Sequence, residues 1–283
     1  MAFLEVRDLS KSFPSPAGVR HVLKDVRLDV EQGEFVSIVG TMGSGKSTLL
    51  SLLAGLTSPD GGTVVIDGKP VTGVRVDAAF VFQNYSLLPW FSALENVRLA
   101  VQAAFPDATA AEQIRRATEA LERVGLGNAV DRKPRQLSGG MRQRVSLARA
   151  FATEPRVLFL DEPFGALDAL TRDTLQQDLA QLCAERERPV TTVMITNSVE
   201  EAILLSDRIV PIVTGPPASL GTPIAVELAR PRTLAQLAHD EQATHARAHV
   251  IAALTASMQR RTRPSSAGST ATLTSTEPAK EAV

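Results

Sequence analysis

Residues 40–48 read GTMGSGKST. They fit the pattern G-x-x-x-x-G-K-[ST], and little else in the chain constrains its fold as much. An apolar run, FVSIVG, precedes the motif, and KSTLLSLLAGL, with helical spacing, follows it. The expected local structure is strand, loop, helix. Glycines let a loop wrap an anion without Cβ clashes. Successive N–H groups and the helix N-terminus then face the β- and γ-phosphates of a nucleotide. Gly40, Thr41, Met42, Gly43, Ser44, Gly45, Lys46, Ser47 and Thr48 are therefore candidate nucleotide-binding residues. Lys46 supplies a point charge, and the Ser47 hydroxyl is a candidate Mg²⁺ ligand.

Such a loop needs a second group to hold the metal, and RVLFLDEP at 156–163 supplies one. An apolar strand there delivers Asp161 and Glu162 to its C-terminal end, where α/β folds bind ligands. Neighbouring strand residues point to opposite sides. One carboxylate can thus serve the metal while the other faces an attacking water; Asp161 suits the metal role and Glu162 that of general base. Alone, an Asp-Glu pair reads as a solvated turn or a helix cap; the phosphate loop favours the chemical reading.

The remaining strands and helices give the organisation. Apolar strands alternate with helical patterns, so the expected class is α/β with a largely parallel core sheet. TTVMIT (191–196) is a further buried strand, and Leu175, Leu179 and Leu182 mark the helix before it. FLEVRDL and VLKDVRLDV alternate apolar with polar, as half-exposed antiparallel strands do. TVVIDGKPV (63–71) reads as a hairpin with an Asp-Gly turn. Residues 91–150 show helical spacing throughout, so an inserted helical subdomain is expected there. SDRIVPIV and PIAVEL read as a returning strand pair. Residues 233–258 read as a terminal helical extension, closing a domain over 1–258. Residues 259–283, rich in Ser, Thr, Pro and Ala, read as a disordered tail.

Composition excludes several classes. The net charge is −1, which removes a global basic field for nucleic acid. The single cysteine, Cys183, forbids an internal disulfide and favours a reducing compartment; on its helix it reads as a small buried residue. No run approaches the ~20 apolar residues that span a bilayer. The charged start MAFLEVRDLS is not expected to be a signal peptide. His245 and His249 have metal-like spacing but no evident third ligand, and read as a polar helix face.

LSGGMRQR (137–144) is the most specific stretch. Ser138 can cap a helix that begins at Gly139 and Gly140. The bare glycine backbone lets a phosphate approach that helix start closely. One chain thus carries two phosphate-facing helix starts. One nucleotide satisfies both only where two subunits meet head to tail.

With these motifs in this order, the chain resembles the ATP-binding subunit of an ATP-binding cassette (ABC) transporter over roughly residues 3–230. The resemblance implies the ABC ATPase fold: a P-loop NTPase core sheet, an antiparallel β subdomain and an inserted helical subdomain. It implies ATP and Mg²⁺ as cofactors, and a dimer, homodimeric or with a paralogue, that sandwiches two ATP molecules. It makes Gln83, after AFVF, the Q-loop residue that touches Mg²⁺ and the attacking water. It makes Asp168 in GALD the D-loop residue and Phe13 the ring that stacks on adenine. Read alone, Phe13 is better explained by core packing. Where the family's signature often ends in Gln, this chain has Met141.

The resemblance further implies an integral membrane permease partner, a substrate-binding protein and a place on the cytoplasmic face of the inner membrane. Residues 87–91, LLPWF, follow Gln83 where the family docks its permease; they read as either an interface or core. LLPW together with EEAILLSDRIVPIVTGPPASLG is similar to the nitrate, sulfonate and taurine importer branch. An exporter or lipid-trafficking ATPase would use the same engine. A non-transport ABC ATPase usually carries coiled-coil inserts or a second cassette, and neither is present here.

One position departs from the family. The strand TTVMIT ends in a family His that contacts the γ-phosphate, and this chain has Asn197 there. Two readings stand. Asn197 caps the next helix, with Glu200 three residues on completing a capping box. Or its amide donates to the phosphate, without the charge or proton relay of His.

Overall fold

The computed structural model describes residues 2–16, 18–184, 189–213 and 217–262, and side chains as far as 256. The chain opens with two long strands, β1 (Leu4–Ser15) and β2 (Gly18–Val30), then β3 (Phe35–Val39) and helix α1 (Lys46–Leu53). A hairpin, β4 (Gly61–Ile66) and β5 (Lys69–Pro70), leads to β6 (Ala78–Val81). Three helices follow: α2 (Ala93–Ala104), α3 (Ala110–Arg123) and α4 (Gly139–Phe151). The chain then alternates through β7 (Val157–Asp161), α5 (Ala169–Ala184), β8 (Thr191–Thr196), α6 (Val199–Leu205) and β9 (Arg208–Val213). It closes with β10 (Ser219–Leu220), β11 (Ile224–Ala225), α7 (Leu234–Leu237) and α8 (Glu241–Thr262).

Two sheets form. The first is antiparallel, in the order β2-β1-β4-β5, and the Asp67–Gly68 turn makes the expected hairpin. The second has a parallel centre in the order β9-β3-β8-β7-β6, edged by antiparallel β10 and β11 on β9. The strands β3, β7 and β8 are buried on both faces, so their sequences are mostly apolar, with only small polar residues, Ser37, Thr191, Thr192 and Thr196, among the buried positions. Their side chains alternate between two cores. Phe159, Val193, Ile195 and Ile38 pack with α1 and the antiparallel sheet. Leu158, Leu160, Met194 and Val39 pack with α4, α5 and α6. Phe159 is fully buried, and truncating it to Ala costs about 3–5 kcal/mol.

Between residues 91 and 150 the chain forms helices α2, α3 and most of α4, with no strand. Ser92 starts α2 with a reciprocal capping box to Glu95, and Thr109 caps α3. Cys183 is buried on α5 beside Leu182, as expected.

The C-terminal extension differs from the sequence reading in two ways. It is two helices, not one, because Asp240 accepts from the Ala243 N–H at 2.9 Å and begins α8 afresh. A short polar side chain competes in this way with helix continuation. The second helix also runs to Thr262, past the expected boundary at 258. The rest of the expected disordered tail, 263–283, lies outside the described residues.

Candidate functional site

Sheet register builds the site. Val39 of β3 pairs with Thr196 of β8, and Ile195 of β8 pairs with Asp161 of β7. The first residues beyond these three adjacent strands are Gly40, Asn197 and Glu162. β8 lies between the other two, so Asn197 emerges between the phosphate loop and the carboxylate pair. Its amide uses both ends. The Oδ1 accepts from Lys46 Nζ at 2.8 Å, and the Nδ2 donates to Glu162 Oε1 at 2.7 Å.

The capping reading of Asn197 is therefore overturned. Ser198 is the N-cap of α6, and its Oγ accepts from the Glu201 N–H. Glu201, not Glu200, sits at the third helical position, and its buried carboxylate accepts from the Thr196 hydroxyl at 2.6 Å. Burial pushes the Glu201 carboxyl up. With the cap one residue further on, Asn197 is left to the site.

Glu162 also reaches its place differently from expectation. Asp161 is the last residue of β7, so strand alternation does not aim Glu162. Its φ is +43°, the left-handed region, which costs a non-glycine residue roughly 1–3 kcal/mol. The backbone is held there by its N–H on Ile195 O at 3.0 Å. Its carboxylate then meets three groups: Asn197, Gln83 Nε2 at 3.3 Å and Lys46 Nζ at 3.6 Å. The Lys46 side chain is only 4% exposed, and its ammonium also donates to the carbonyls of Gly40 and Thr41 at 3.0 Å. Burial lowers the Lys46 pKa, opposed by the charge of Glu162.

The phosphate loop has the geometry an anion requires. Gly45 caps α1 at φ +97° with no side-chain cap, and no acidic residue lies in the first turn. The first N–H groups of α1 are thus left to a ligand. A Cβ on Gly40 would meet Ile212 at 2.1 Å, so only glycine fits between loop and β9. The Ser44 hydroxyl is buried and has no protein partner. Beside the loop, Ser47 Oγ donates to Asp161 Oδ1 at 3.1 Å. Burial raises the Asp161 carboxyl above its ordinary range, opposed by that hydrogen bond.

A cleft of about 550 Å³ opens on this cluster, lined among others by Phe13, Arg20, Met42, Lys46, Gln83 and Glu162. Phe13 is 39% exposed, so the core reading of this ring fails. The register that pairs Phe13 with Arg20 brings Arg20 to the cleft, although no sequence motif marks it. Ser138, Gly139, Gly140 and Asp168 are not among the residues that line the cleft. Ser138 caps α4, its Oγ accepting from Met141 N–H at 3.2 Å. Asp168 accepts from the Thr171 N–H at 3.1 Å at the start of α5, which holds its carboxyl below the usual range.

Residues 87–91 divide. Leu87 packs on the core, while Trp90 is 62% exposed, so the patch is not simply core. No helix among the described residues is long and apolar enough to cross a membrane.

Residues 23–165 match a family model described as "ABC transporter". The chain belongs to the ABC transporter family. It is an ATP-binding subunit of that family with the ABC ATPase fold. The bicarbonate transport ATP-binding protein CmpD of Synechocystis is 46% identical over 84% of this chain and 84% of its own length. The nitrate import ATP-binding protein NrtD of Synechococcus elongatus is 45% identical, over 88% and 90%. The nitrate transport protein NasD of Klebsiella oxytoca is 43% identical, over 88% and 94%. The CmpC proteins of Synechococcus are longer, and this chain spans 37% of their length. Among solved structures, a dimeric ABC cassette, MJ0796, bound to ADP and Pi, is 32% identical. It aligns with a TM-score of 0.71, over 80% of this chain and all of that one.

Proposed function

We propose that this chain binds Mg²⁺-ATP, hydrolyses it within a head-to-tail dimer, and so powers import of a small inorganic anion such as nitrate or bicarbonate. The observation that carries the hydrolytic part is the convergence of Lys46, Asn197 and Glu162 at three adjacent strand ends. The anion class rests on the import subunits that the chain resembles along most of its length.

Each residue has a role that its position supports. The free N–H groups of α1 and the Lys46 ammonium hold the β- and γ-phosphates. Ser47 and Asp161 would hold Mg²⁺, since a hydroxyl and a carboxylate form a hard-oxygen pair that suits that ion. Bound there, the ion neutralises charge building on the phosphate oxygens. Among the described residues no group of three His, Cys, Asp or Glu could hold a metal alone, so phosphate and water oxygens would complete the shell. Glu162 takes the proton of the attacking water. Gln83 and Asn197 orient that carboxylate. Phe13 offers its exposed face to adenine. Ser138, Gly139, Gly140 and Asp168 serve the nucleotide of the opposite subunit. The exposed Trp90 and its neighbours dock an integral membrane permease, which keeps the chain peripheral at the cytoplasmic face of the membrane. A substrate-binding protein delivers the anion to that permease.

The test is purification of the chain with its permease, followed by ATP-dependent nitrate or bicarbonate uptake into proteoliposomes. Trp90→Ala is expected to leave the ATPase rate of the isolated chain nearly unchanged and to reduce permease assembly. A variant that loses isolated stability while its folded fraction assembles normally would return residues 87–91 to the core.

A further inference from the structure

Arg149 lies in the last turn of α4, half-buried, and uses its guanidinium in an unusual way. Its Nη1 donates to Ser86 O at 2.6 Å and its Nη2 to Tyr85 O at 2.8 Å. Burial lowers its pKa, and no carboxylate among the described residues opposes that. A buried guanidinium without an anion is costly unless its donors are used. Here they are used on two neighbouring backbone carbonyls.

Those carbonyls belong to a distorted stretch of backbone near the site. Tyr85 and Ser86 have φ of +65° and +46°, consecutive non-glycine residues in the left-handed region. Such a pair persists only where its surroundings over-determine it. The same helix meets the Tyr85 side chain as well. The Arg142 guanidinium lies over the Tyr85 ring at 5.4 Å. The Tyr85 hydroxyl is 3.6 Å from where a Cβ on Gly139 would lie. Residues 139, 142 and 149 share one face of α4 at helical spacing.

The clamp sits midway along a segment with two functional ends. Two residues before Tyr85, Gln83 reaches Glu162. After it, Leu87 packs on the core, and the buried Asn96 of α2 holds Leu88 by both its N–H and its carbonyl. Trp90 projects beyond.

We propose that Arg149 is a positioning residue: by holding the Tyr85 and Ser86 carbonyls it makes residues 83–90 one body with α4. Gln83 at Glu162, the Gly139 start of α4 and the exposed Trp90 then shift together. The inference rests on the hydrolytic reading of Glu162 and adds the part that links it to the outer surface. Without the guanidinium the two carbonyls lose their partners, the left-handed pair relaxes, and Gln83 is no longer set by α4.

Trp90 is the sole tryptophan, so its emission reports on this segment in the full chain. Mg²⁺-ATP is expected to change that emission in the wild type. In Arg149→Met the change falls about 5-fold and kcat about 10-fold, while KM for ATP stays within about 2-fold, because the phosphate grip lies on α1. Arg149→Lys keeps the charge but reaches one carbonyl at a time, and gives intermediate values; it decides the matter if the methionine variant does not fold. Glu162→Gln keeps the emission change and loses turnover. A folded Arg149→Met with wild-type kcat and a full emission change overturns the proposal, as does a wild type whose Trp90 ignores nucleotide. Persistent turnover in Glu162→Gln instead overturns the hydrolytic reading beneath it.

Discussion

The helices α1 and α4 begin alike in sequence and differently in structure. Both start at glycines and carry no acidic residue in the first turn, whereas α2, α3 and α6 each carry at least one glutamate there. An acidic residue at that place stabilises an exposed helix by about 0.3–1 kcal/mol. Among the helices that forgo it are the two whose starts serve phosphates in the proposed function; α5 and α7 also lack one. The starts of α1 and α4 differ in what satisfies them. α1 begins at a left-handed glycine with no side-chain cap and a buried ammonium. α4 has the Ser138 hydroxyl on its Met141 N–H. In the proposed function the first start is completed by a ligand of its own chain. The second is partly complete by itself, which suits a site that meets its nucleotide only across a dimer.

The strongest way to break this contrast is at α1. Lys46→Ala removes the only cation among the groups that meet Glu162, and is expected to lower hydrolysis at least ~10³-fold, with loss of ATP affinity and little loss of fold. Nucleotide titration together with thermal melting checks both halves; wild-type binding would place the anion site elsewhere. Next in size, Glu162→Gln is expected to lower turnover by about 10²–10⁴-fold, the usual range for a lost proton acceptor. It should still bind ATP and accumulate as a dimer on size-exclusion chromatography. A species that stays monomeric with ATP would argue against the shared site that makes α4 necessary.

Asn197 gives a smaller and more diagnostic effect. Asn197→Ala removes both the acceptor for Lys46 and the donor to Glu162, and is expected to reduce turnover by about 10-fold, less than a lost oxyanion donor, since Gln83 and Lys46 still hold the carboxylate. Asn197→His is expected to raise it by adding a group that can carry a proton. Equal steady-state rates for all three would leave the Asn197 bridge without consequence. The smallest effect belongs to α4. Ser138→Ala is expected to cost about 1 kcal/mol, or about 2–4 °C in Tm for a domain of this size, without changing ATP affinity of the monomer. If it weakened monomer binding as Lys46→Ala does, the two helix starts would be equivalent.

Asn197 also shows the limit of local reading. Its position after a buried strand was legible, and so was the departure it makes. Its partners were not, because Ser198, an equally good cap, takes the helix start, and only hydrogen-bond geometry decides between adjacent caps. Glu162 is similar: its identity was legible, its aim was not, because a left-handed turn replaced the strand alternation.

By itself the sequence determined the phosphate loop, the strand that delivers Asp161 and Glu162, the signature start of α4 and the helical insertion. These are short-range patterns of apolar period, glycine freedom and capping chemistry, and they need no partner far away in the chain. Tertiary structure alone decided which strand ends lie side by side. Lys46 and Asn197 are 151 residues apart, and Asn197 and Glu162 are 35 apart. They meet because β8 pairs between β3 and β7, a choice made by burying two apolar faces of one sheet at once. The Arg149 clamp on Tyr85 and Ser86 has the same origin, since it depends on α4 packing against a loop more than 60 residues earlier.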